Sequence, residues 1–74
     1  MIEEHDQVVL TRDLPDQGLV VGDIATVVAV RQGGAGYTLE VMTVQGDTLA
    51  IVTVPAADVR PAAGREVPHV RAAE

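Results

Sequence analysis

Apolar residues fall along this chain in short runs broken by glycine, proline and acidic residues, a spacing that predicts strands rather than helices. Residues 7–11 (QVVLT) are apolar and bounded by charges, and predict a first strand. Residues 12–18 (RDLPDQG) hold Pro15, Gly18 and two aspartates, and predict an irregular loop. Leu19, Val20 and Val21 form a short apolar stretch stopped by Gly22-Asp23. Residues 24–31 (IATVVAVR) predict a second strand, followed by a tight connection through Gln32-Gly33-Gly34-Ala35-Gly36. Residues 37–43 alternate most cleanly, with Tyr37, Leu39 and Val41 on one face and Thr38, Glu40 and Met42 on the other. A Gln45-Gly46-Asp47 turn leads to a fourth strand over residues 48–54. Pro55 cannot donate to a central ladder, so residues 55–58 predict one turn of 3₁₀ helix, and Val59-Arg60 a short fifth strand before Pro61.

Five short strands, a long first loop, two hairpins and a helical turn before the last strand describe an all-β domain, a small five-stranded SH3-like barrel over residues 1–61. An OB-type barrel needs a helix between strands three and four, and residues 43–48 leave no room for one. Residues 62–74 hold Gly64 and Pro68 without periodicity and predict a C-terminal arm or flexible tail.

Composition narrows what such a barrel can do. Among 74 residues there is no cysteine, serine, lysine, phenylalanine or tryptophan, and Tyr37 is the one aromatic residue. Thiolate and serine nucleophiles, a lysine Schiff base, disulfides and thiolate metal sites are therefore excluded. No apolar run approaches the roughly 18 residues of a membrane helix. The acidic start, Met1 to Asp6, is unlike a secretory signal, so a cytoplasmic location is expected. Residues 1–23 contain six acids and one arginine, and the whole chain has a net charge of −6. That sign opposes phosphate binding, and one tyrosine cannot build a stacking platform or the aromatic groove of a proline-rich-peptide binder.

The segments Asp6-Gln7-Val8-Val9-Leu10, Asp13-Leu14-Pro15, Gly18-Leu19 and Gly22-Asp23-Ile24-Ala25-Thr26-Val27-Val28 resemble a bacterial family of short proteins, the domain-of-unknown-function family 4926. Gly36-Tyr37-Thr38-Leu39-Glu40-Val41, Gly46-Asp47-Thr48 and Asp58-Val59-Arg60-Pro61 extend the resemblance over residues 4 to 62. It implies an SH3-like fold, no assigned activity and no catalytic residue. It also implies a setting beside a second small protein, as in a two-protein bacterial module.

Three clusters invite chemistry and each has a simpler reading. Glu3, Glu4, His5 and Asp6 are metal-capable, but consecutive residues of an extended chain point to alternate faces, which favours a solvated acidic terminus and no metal. Asp13, Asp16 and Asp23 lack EF-hand spacing and suit local turn formation, with partner contact open to the loop that carries them. The Gly33-Gly34-Ala35-Gly36 run is followed by a strand rather than a helix, so it is a hairpin and not a phosphate loop.

Strands two and four are apolar on both faces, more than one small interior absorbs. A covered outer face around Val27, Val52 and Val54 is expected, with Asp13, Leu14, Asp16 and Leu19 of the first loop completing a partner-binding set. The expectation is a non-enzymatic, cofactor-free interaction module, an antitoxin-like or accessory component that binds another protein encoded next to it and neither nucleic acid nor membrane. The alternative is a self-associating scaffold protein, a homodimer through the apolar outer face. A hydrolase or metal enzyme built on His5 or His69 ranks below both.

Overall fold

Valine- and threonine-rich runs form the ladders that their branched side chains favour. The computed structural model describes residues 2–73. Its strands are β1 (Gln7–Leu10), β2 (Ile24–Arg31), β3 (Gly36–Met42), β4 (Thr48–Pro55) and β5 (Val59–Pro61). All pairings are antiparallel, in one sheet of order β4-β3-β2-β1-β5. The chain meanders from β1 to β4, makes a 3₁₀ turn at Ala56–Asp58 and returns along the free side of β1. The domain is all-β, and this order is compatible with the expected SH3-like barrel.

Two prolines sit inside strands because β4 and β5 are the sheet's edges. Pro55 pairs with Gly36 and Pro61 with Val8, so each strand runs one residue further than the pattern predicts. Gly36 also marks a close backbone approach. A Cβ there would lie 2.9 Å from the Val54 carbonyl oxygen.

The interior is aliphatic. Val8, Leu10, Leu19, Val27 and Leu39 are almost completely buried, and Tyr37, Val41, Val52, Val54 and Val59 close around them. Leu19 reaches this core from the first loop, where it bridges to Leu14 in antiparallel fashion. The loop also contains a 3₁₀ turn at Pro15–Gln17, ended by Gly18 in the left-handed region.

β3 sets the alternation of its neighbours. Val27 and Val52 both pair with Leu39, and Val54 pairs with Tyr37, so all three share the inner row. The register shifts between Val27 and Ala29 and between Val41 and Met42, which leaves Val28 and Leu49 as extra residues outside the ladder. On the outer face Thr38 and Thr53 stand opposite each other, their hydroxyls 2.9 Å apart, and Thr38 accepts a hydrogen bond from Arg31 Nε.

Candidate functional site

Each residue of the expected partner-binding set has a definite place. Asp13 is exposed and its Oδ1 accepts the Val21 N–H at 2.9 Å. Asp16 is exposed on the 3₁₀ turn, and Leu14 is half-buried against the core. Leu19, Val27, Val52 and Val54 are core residues, none more than 7% exposed. The expected outer face around Val27, Val52 and Val54 is thus corrected. Those side chains point inward, and the opposite row of β4 carries the exposed apolar groups, Leu49 at 42% and Ile51 at 63%. Met42, about half exposed, lines the same cleft as Leu49.

The acidic clusters are local structure. Asp6 accepts the Glu3 N–H, closing a turn that puts His5 in the left-handed region. Among the described residues no three metal-ligating side chains converge. Asp23 accepts the Val20 N–H at 2.9 Å, which fixes the exit of the first loop just before β2.

Asp23 has a second partner, from the far end of the chain. Arg71 donates from Nε to Asp23 Oδ1 at 2.8 Å and from Nη2 to Oδ2 at 2.5 Å, and Nη2 also donates to the Gly18 carbonyl at 3.1 Å. This forked, charge-assisted pair holds the Asp23 carboxyl below its ordinary value, with desolvation opposing the shift. The segment that delivers Arg71 leaves β5 by an Ala62 N–H bond to the Gln7 carbonyl and then turns at residues 63–66. Glu66 closes that turn by accepting from Arg60 and from the Ala63 N–H, contacts that lower its carboxyl to about 2. The predicted C-terminal arm therefore folds back onto the domain.

Between the arm and the sheet lies a cleft of about 600 Å³. Its sheet-side wall combines Ile24, Met42 and Leu49 with two carboxylates, Asp23 and Glu40, and carries no cation. The arm closes it with His69, Val70 and Arg71. A second depression, beside Arg31 and Pro55, is more open to solvent and has no carboxylate. Arg71, Glu40 and Leu49 were not legible as site residues, because only the fold brings residues 24, 40, 49 and 71 together. The signal that was available is the polar row Thr38, Glu40 and Met42 of β3, which turns away from the core even though only Met42 is exposed.

A small antiparallel β-domain with a covered acidic cleft on its outer side is what the geometry defines. The family model described as Domain of unknown function (DUF4926) matches residues 4–61, and the chain belongs to that family. No curated protein and no solved structure matches the chain. The matched residues include the sheet-side wall of the cleft; the arm lies beyond them. No helix among the described residues is long and apolar enough to cross a membrane.

Proposed function

We propose that the protein is a non-enzymatic interaction module whose outer sheet face binds another protein. The observation that carries this reading is the cleft, where exposed Leu49 and Met42 border the carboxylates of Glu40 and Asp23, with exposed Ile51 just outside it, paired with Glu40 across the β3–β4 ladder. Apolar side chains ringed by charge are the composition of a protein-binding patch rather than of a solvated sheet face. The acidic balance, net −6, favours a basic partner and would speed its approach. An accessory or antitoxin-like role in a cytoplasmic two-protein bacterial system, with the SH3-like barrel as scaffold, fits that chemistry. Calorimetric titration of the purified chain with the protein encoded beside it tests the reading. Binding that is lost in Ile51→Glu supports it, whereas no heat of binding, or binding indifferent to Ile51→Glu, contradicts it.

A second reading, self-association, is favoured by one separate feature. β4 is an eight-residue edge strand with no charged side chain, the kind of edge that pairs with another strand. Two β4 edges could meet antiparallel without opposing like charges. Light scattering over a concentration series decides it: a mass that doubles with concentration supports the dimer, and a constant monomer mass ends it.

A further inference from the structure

We infer that the cleft beside Asp23 is an arginine-binding site occupied in cis by Arg71, and that a basic extended segment of the partner takes the arm's place there; the second half rests on the interaction reading above. The site is built before any arginine arrives. Asp23 is oriented by the Val20 N–H, and the Gly18 carbonyl is presented by the left-handed glycine that ends the 3₁₀ turn. Two carboxylate oxygens and a carbonyl, all acceptors, meet three bonds from one guanidinium. That planar fork is specific to arginine, since a lysine ammonium is a point charge without it. Without the arm, the remaining wall holds Asp23 and Glu40 with no cation, over the apolar floor of Ile24, Met42 and Leu49. A basic segment with an apolar residue nearby matches both properties.

The arm is a weak occupant. Every residue from 63 to 73 is exposed, and its apolar members Val67 and Val70 are 78% and 86% exposed. Its hold therefore comes from Arg71 and from the Glu66 turn, and ion pairs at a surface contribute little. It lies outside the family match, whereas Gly18, Asp23 and Glu40 lie inside it. The arm acts as a tethered competitor, present at an effective concentration of about millimolar. A partner segment that also buries an apolar side chain on the cleft floor displaces it.

The test uses the full chain and a synthetic peptide with the sequence of residues 66–73, followed by chemical shifts of the Gly18, Asp23, Ile24 and Met42 amides. Arg71→Ala should bind the peptide at least about two-fold more tightly than the unaltered chain, because the cis competitor is gone. A peptide with glutamine in place of its arginine should not bind, and Asp23→Asn combined with Arg71→Ala should lose binding while keeping the sheet's spectrum. Equal shifts in the unaltered chain and Arg71→Ala, no shifts in either, or a glutamine peptide that binds as well, would overturn the arginine site. The partner titration reports separately. If the peptide behaves as expected but the neighbouring protein does not bind, the cleft assignment stands and the interaction reading falls. If the neighbour binds equally to both chains while the peptide binds neither, the arginine site falls alone.

Discussion

The sheet and the arm are held by different forces. In the sheet, the inner rows of β2, β3 and β4 interlock through Val27, Leu39 and Val52, all buried, and the cohesion is apolar area removed from water. The arm buries none of residues 63–73 and is fastened by arginine–carboxylate pairs, Arg60 to Glu66 and Arg71 to Asp23. Burial is cooperative and is not screened by salt; exposed charge is local, screened and titratable. The arm is therefore removable. Its release should open the cleft and leave the domain folded.

The largest loss should come from the core. Leu39→Ala removes a fully buried side chain between Val27 and Val52, and should cost about 2–5 kcal/mol. For a domain this small, that loss should be seen as a large fall in the urea midpoint, or as an unfolded chain. Gly36→Ala comes next. The new Cβ would meet the Val54 carbonyl at 2.9 Å, and backbone cannot yield as a flexible side chain can, so a destabilisation of about 1–3 kcal/mol is expected in thermal unfolding.

Substitutions on the outer side should spare the fold. Ile51→Glu replaces a 63% exposed side chain and should change stability by less than about 0.5 kcal/mol, while removing partner binding or self-association. A loss of folding on that substitution would mean that the outer face is part of the core. Arg71→Ala should leave the urea midpoint unchanged within error while altering the amide shifts of residues 18–23.

Acid should release the arm without melting the sheet. Asp23 and Glu66 both have lowered carboxyl pKa values in the folded state, so their contributions are complete above the ordinary values and fade as pH falls through the lowered ones. For Glu66 that window runs from 4.5 down to about 2. Arm resonances should move in this range during a pH titration, before those of β3. Simultaneous loss of both would contradict the separation of forces.

Much of this architecture was legible in the chain, and the misses have physical causes. In β3, Tyr37, Leu39 and Val41 join the core as the alternation predicts, whereas of the opposite row only Met42 is exposed, with Glu40 half-buried and Thr38 buried. β2 and β4 are apolar on both sides, so their inward faces depend on pairing register with β3, which local sequence does not carry. That is why Val27, Val52 and Val54 were expected outside and lie inside. The two register shifts, at Val28 and Leu49, complicate the pattern further. Pro55 and Pro61 read as strand breakers until the sheet order shows both on edges. The acidic first loop was recognisable as a set of turn-forming aspartates. Its long-range partner was not, because Arg71 is 48 residues from Asp23 and sits in a segment with no hydrophobic pattern.

Backbone ¹⁵N relaxation in the unaltered chain and in Arg71→Ala tests whether charge alone holds the arm to the sheet. Amides of residues 69–73 should be ordered in the unaltered chain and fall below an order parameter of about 0.6 in the variant, while Leu39 and Val41 stay near about 0.85 in both. An arm already below that level in the unaltered chain, or a sheet that loosens along with it, would show that arm and sheet are not held by separate forces.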